Sequence, residues 1–131
     1  MTREELKAAA LAMRERSYCP YSRFTVGAAL ECADGSVFTG CNIENAGFSP
    51  TLCAERVAVG KAVSEGHTDF VRIAVAGRGD APCVPCGVCR QVLSEFAPDM
   101  EVICLSDSGA ELTLSLRELL PYGFDSSFLP E

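Results

Sequence analysis

The 131-residue chain is 48% hydrophobic and 22% charged, the balance of one globular domain, with no linker, repeat or low-complexity tract to divide it. Its net charge is -7 and its eleven basic residues are scattered, so it lacks the basic stripe that a nucleic acid polymer demands, while a small uncharged ligand meets no such objection. The longest wholly apolar run, 8–13, is far short of the roughly 20 residues of a membrane span, and the opening MTREELKAA is charged and helical rather than a signal peptide, so a cytoplasmic protein is expected.

Thr2 and Glu5 form a capping-box pattern, and Leu6, Ala9, Ala10 and Met13 follow at helical spacing, which predicts a helix over 2–16. Pro20 ends it, since the residue before proline is pushed out of the helical region. The stretches 24–32 and 36–41 read as a hairpin joined through Ala33-Asp34-Gly35. A loop over 42–52, rich in Asn, Gly, Ser and Pro, leads to a helical pattern from Cys53 to Gly66. A buried strand over 70–76 is followed by a glycine- and proline-rich loop over 77–85. The next helix spans about 86–96, with Pro85 at its start. Strands at 101–105 and 112–114 flank an Asp107-Ser108-Gly109 turn, Ser115 and Glu118 cap a last short helix, and 121–131 is irregular. Helices alternating with strands imply an α/β fold, a three-layer α/β/α sandwich around a mixed five-stranded sheet, in one domain over 1–131.

Eight cysteines without an export signal favour metal ligation or buried thiols over disulfides. Cys53-Ala54-Glu55 opens one predicted helix and Pro85-Cys86-Gly87-Val88-Cys89 opens another. Cysteines three apart in a first helical turn point to one side, as a chelating pair must. Helix N-termini also stabilise thiolates through their partial positive charge and unpaired N–H groups. Two alternatives compete: a closed zinc knot with Cys83 as fourth ligand, and an iron–sulfur cluster on Cys83, Cys86 and Cys89. Neither gives Cys53-Ala54-Glu55 a purpose. The remaining cysteines, Cys19, Cys32, Cys41 and Cys104, read as small buried hydrophobes, and Cys83 as a loop thiol.

The segments Tyr21-Ser22-Arg23-Phe24, Val26-Gly27-Ala28-Ala29-Leu30, Gly40-Cys41-Asn42-Ile43-Glu44-Asn45-Ala46, Cys53-Ala54-Glu55-Arg56 and Pro85-Cys86-Gly87-Val88-Cys89-Arg90-Gln91 span most of the chain. Together they resemble the cytidine deaminase family in its small, three-cysteine form. The resemblance implies one Zn2+ held by Cys53, Cys86 and Cys89, and hydrolysis at C4 of cytidine and deoxycytidine in pyrimidine salvage. Three protein ligands keep a position open for water, the mark of a catalytic zinc. Glu55 is then the proton shuttle, beside the metal but not bound to it. Residues two apart do not share a helix face, so this requires Cys53 at or before the helix start.

Three thiolates around Zn2+ leave a net charge of -1, and Arg56 is the expected second partner of the sulfurs, with Arg90 able to share the role. The resemblance assigns Asn42 and Glu44 to the ribose hydroxyls, Glu44 having a neighbouring loop as its other possible contact, and the backbone of Ala54 to the base. Phe24 is either the aromatic against the pyrimidine or simple core. Phe124, with Phe128 as rival, resembles an aromatic that enters a neighbouring subunit's site, and the resemblance implies a homotetramer with shared sites. Phe48 and Val84 depart from the family's tyrosine and small hydroxyl residue, which leaves room for a modified cytosine nucleoside such as blasticidin S as substrate. A zinc-stabilised interaction module without catalysis is the reading from a different class.

Overall fold

The computed structural model describes residues 1–130. Helix α1 spans Arg3–Met13, and Thr2 and Glu5 form the reciprocal capping box at its start. The expected helix over 2–16 changes character in its last turn, which tightens into a 3-10 segment over Arg14–Arg16. Strands β1 (Val26–Cys32) and β2 (Val37–Cys41) form the expected hairpin, and β3 (Phe70–Gly77), β4 (Glu101–Leu105) and β5 (Glu111–Ser115) complete one sheet. Its order is β2-β1-β3-β4-β5. Only β3 and β4 are parallel, and the other neighbours are antiparallel, so the sheet is mixed.

Alternation along the strands builds the three layers. Leu30, Ile73, Val75, Val102 and Cys104 face helices α2 (Ala54–Ser64), α3 (Gly87–Phe96) and α4 (Leu116–Leu119). Ala29, Ala74, Ala76, Ile103 and Leu105 face Leu6 and Ala10 of α1 on the other side. Small residues on that second face let α1 lie close to the strands. The sandwich is the one the sequence pattern predicts.

Close approach also places α2. A Cβ at Gly40 would lie 2.3 Å from the Ala54 carbonyl oxygen, so only glycine lets the first turn of α2 sit directly on β2. Helix α3 lies in the crossover between the parallel strands β3 and β4. Its N-terminus therefore follows the carboxyl end of β3, where open α/β sheets hold their ligands. Among the described residues, no helix is long and apolar enough to cross a membrane.

Candidate active site

Both thiol-bearing helices begin on a cysteine. Cys53 is the N-cap of α2, with an extended backbone at φ -76° and ψ 153°. That turns its side chain away from the helix path and lets Glu55 share the same side, the condition the sequence imposed. Cys86 is the N-cap of α3, at φ -67° and ψ 167°. The helix thus begins at Gly87, and Pro85 precedes the cap, fully buried, instead of occupying the first helical position. Neither cap makes the side-chain hydrogen bond that Ser or Asp would supply there. The unpaired N–H groups of both first turns are left to favour negative charge at the sulfurs.

The Sγ atoms of Cys53, Cys86 and Cys89 all lie within 4.8 Å of one another. Those of Cys53 and Cys86 are 3.6 Å apart. Tetrahedral ligands about 2.3 Å from a zinc ion lie about 3.8 Å from each other, so the three thiols fit that ion. Among the described residues no fourth side chain joins them. Cys83 stays outside the group, and burial pushes its thiol up to about 12, which keeps it protonated. A closed four-thiolate knot and a cluster on Cys83, Cys86 and Cys89 therefore find no support.

The electrostatics are polarised. The Cys53 thiol is held down at about 5, chiefly because Cys89 donates to its sulfur, with Arg56 and Cys86 adding to the effect. The same contact pushes Cys89 upward. Arg56 Nη2 donates to Cys53 Sγ at 3.6 Å and to the Thr51 carbonyl at 3.1 Å. Its Nε is buried without a partner. An orphaned cationic donor beside three sulfurs suits a cluster that becomes more negative when all three ionise. Arg90 takes no part in this: it donates to the Pro85 and Leu119 carbonyls at 2.7 and 2.8 Å. It fastens the approach to α3 onto α4.

Glu55 is 3% exposed, and it lies outside the thiol group. Burial raises its carboxyl to about 7, with the negative charge of Cys53 adding to the rise. A carboxyl poised there exchanges protons at neutral pH.

One pocket reaches the thiols of Cys53 and Cys86, with Glu55, Arg56 and Cys89 behind its wall. Phe24, Asn42, Glu44, Cys53, Ala54 and Cys86 line it, with Ser22, Val26, Thr51, Leu52, Cys83 and Val84. The Asn42 side chain bridges strand ends, donating to the Phe24 carbonyl at 2.8 Å and accepting from Val26 N at 3.0 Å. It keeps one amide hydrogen and one lone pair free for a ligand. Glu44 accepts from the N–H groups of Tyr21 and Ser22 at 3.0 and 3.1 Å. Phe24 is 44% exposed on the pocket wall and is not core. Phe124 lies elsewhere, in a groove with Ser94, Leu116 and Leu120, its ring stacked on Phe128 at 5.3 Å. Within one chain it does not reach the thiols. Phe48 is 76% exposed, beside a neighbouring hollow that Tyr21, Ser22 and Glu44 also line.

Three contributors lack any role in the sequence reading. Ser22 and Thr51 face the pocket, and Gly77 sits behind it. A Cβ at Gly77 would lie 2.8 Å from Cys83 Sγ and 3.1 Å from the tip of the Phe24 ring. Ser22 alone carried a signal, as a short polar residue able to cap a local turn.

The chain belongs to the family described as the cytidine and deoxycytidylate deaminase zinc-binding region, which matches residues 1–106. A cytidine deaminase of Halalkalibacterium halodurans is 49% identical over 125 residues, 95% of each chain. Another, of Sporosarcina psychrophila, is 42% identical and covers 96% of this chain and 93% of its own length. The crystal structure of cytidine deaminase from Burkholderia pseudomallei has a TM-score of 0.91 and 46% identity, over 95% of this chain and 100% of the other.

Proposed function

We propose that the chain catalyses the hydrolytic deamination of cytidine, converting cytidine and water to uridine and ammonia, with deoxycytidine taken in the same way. The observation that carries this is a trio of thiols at two helix N-termini with a buried carboxyl beside, but outside, the trio. Cys53, Cys86 and Cys89 would hold one Zn2+, which when bound would supply the Lewis acidity that brings the pKa of water to about 7. Glu55 takes the first proton from water and delivers it to N3 of the pyrimidine, then takes the remaining hydroxyl proton at C4 and passes it to the amine, so that ammonia leaves and C4 keeps a carbonyl oxygen. Arg56 offsets the surplus thiolate charge. The Ala54 backbone and Phe24 orient the base, and Asn42 and Glu44 meet the ribose hydroxyls.

Similarity over nearly the whole chain to proteins named for cytidine supports that substrate over blasticidin S. A non-catalytic zinc module has no use for a buried carboxyl at the thiols. We further propose that residues 1–131 act as one catalytic domain of pyrimidine salvage in the cytoplasm, on a free nucleoside and not on a nucleic acid polymer. Four copies share their sites, with Phe124 of one chain reaching the pocket of another. The exposed tail aromatics Tyr122, Phe124 and Phe128 support that assembly.

The test pairs metal analysis with the loss of the cytidine absorbance band on adding enzyme. One zinc per chain and steady turnover are expected, and zinc-loaded protein that leaves cytidine intact overturns the function. Sedimentation of an active monomer would overturn the shared sites.

A further inference from the structure

We propose that Ser22 is a positioning residue for sugar recognition, holding the Glu44 carboxylate so that one acceptor site of that group remains open to the pocket. The inference rests on the reading that Glu44 meets the ribose. The segment 19–25 is neither helix nor strand: one backbone bond, from Arg23 N to the Cys19 carbonyl at 3.0 Å, closes its turn, and side chains add to the hold. Glu44 reaches across from beyond β2 and accepts from Tyr21 N and Ser22 N on one oxygen, at 3.0 and 3.1 Å. Its other oxygen accepts from Ser22 Oγ. An ionised carboxylate has about four acceptor sites, so three are filled and one remains.

The direction of these bonds is forced. Ionised Glu44 only accepts, so the single hydroxyl hydrogen of Ser22 is committed to it. The Phe24 N–H only donates, and it reaches Ser22 Oγ at 3.0 Å. One hydroxyl therefore ties the pocket aromatic to the sugar-facing carboxylate. It does so across Arg23, which stands in the left-handed region at φ 59°. Arg78 Nη1 supports the same turn by donating to the Arg23 carbonyl at 2.8 Å. Without the hydroxyl, Glu44 gains a second open site and loses a constraint on its rotation, and the Phe24 N–H is left unpaired. The loss falls on binding of the sugar and not on the proton transfers at the thiol end.

The experiment is a double-mutant cycle on the zinc-loaded enzyme, with zinc content and thermal melting as checks on folding. Ser22→Ala should raise KM for cytidine about three- to tenfold while kcat stays within about twofold, the size of the net contribution of one ordinary hydrogen bond. Ser22→Thr, which keeps the hydroxyl, should restore KM. Combined with Glu44→Gln, Ser22→Ala should raise KM no further. If Ser22→Ala does not fold, Ser22→Cys carries the same comparison with a weaker donor. Multiplying KM effects, an unchanged KM, or a fall in kcat at constant KM each overturn the positioning role. If Glu44→Gln alone leaves KM unchanged, the sugar contact itself is refuted and the proposal falls with it.

Discussion

The two ends of the pocket are held by different means. At the metal end every group stands at or just inside a helix start, Cys53, Glu55 and Arg56 on α2 and Cys86 and Cys89 on α3. Backbone geometry aims those side chains, and the sheet locks the helices through contacts such as the Gly40–Ala54 approach. At the end proposed to meet the sugar, Ser22, Phe24, Asn42 and Glu44 stand on irregular chain or at a strand's edge, held by hydrogen bonds from side chain to backbone. Rigid elements favour the exact placement that bond-breaking needs, while a side-chain-laced loop defines a binding surface. Mutations at the first end should strike kcat or the metal, and those at the second KM and local stability.

The largest effect should come from Glu55→Gln. Turnover of cytidine should fall by about 10²- to 10⁴-fold, the span of general acid–base catalysis, while zinc content stays at the wild-type level. Surviving activity would remove Glu55 from the proton path and with it the functional division between the two ends.

The same variant gives a pH test on metal-free protein. Glu55 ionises near 4.5 ordinarily and near 7 in the fold, so the folded chain holds the extra proton between those values. Its stabilising contribution is complete below pH 4.5 and is lost as pH rises toward 7, by about 3 kcal/mol over the window. Denaturant melts should show wild type losing that much relative to Glu55→Gln across that range. The comparison between the two proteins removes the part of the Cys53 contribution, opposite in sense, that does not depend on its interaction with Glu55.

Arg56→Gln removes the donor to Cys53 and the buried Nε together. A decrease of about 10- to 100-fold in zinc affinity or kcat is expected, measured by competition with a chelator and by steady-state rates. The smallest effect belongs to the sugar end. Asn42→Ala leaves Phe24 O and Val26 N without side-chain partners, so thermal unfolding should show about 1–3 kcal/mol of destabilisation and KM should rise. A large fall in kcat with KM unchanged would erase the contrast between the ends.

Much of this was legible before folding. Capping boxes at Thr2 and Ser115, period-two strands and the i, i+3 cysteines are local patterns whose geometry follows from a single turn or strand. Cys53, Glu55, Cys86 and Cys89 were therefore identifiable, because each helix start carries its own ligand pattern. The sequence alone determined the sheet's composition, the helix starts and which cysteines and carboxylate stand at them. Only the tertiary structure decided that Cys83 stays outside the thiol group, that Arg56 and not Arg90 meets the sulfurs, and that Glu44 clasps a turn 22 residues away. Nor could spacing show that Gly77 backs both Phe24 and Cys83. Those outcomes depend on which distant loops are brought together once the helices dock on the sheet, and no short-range backbone preference encodes that.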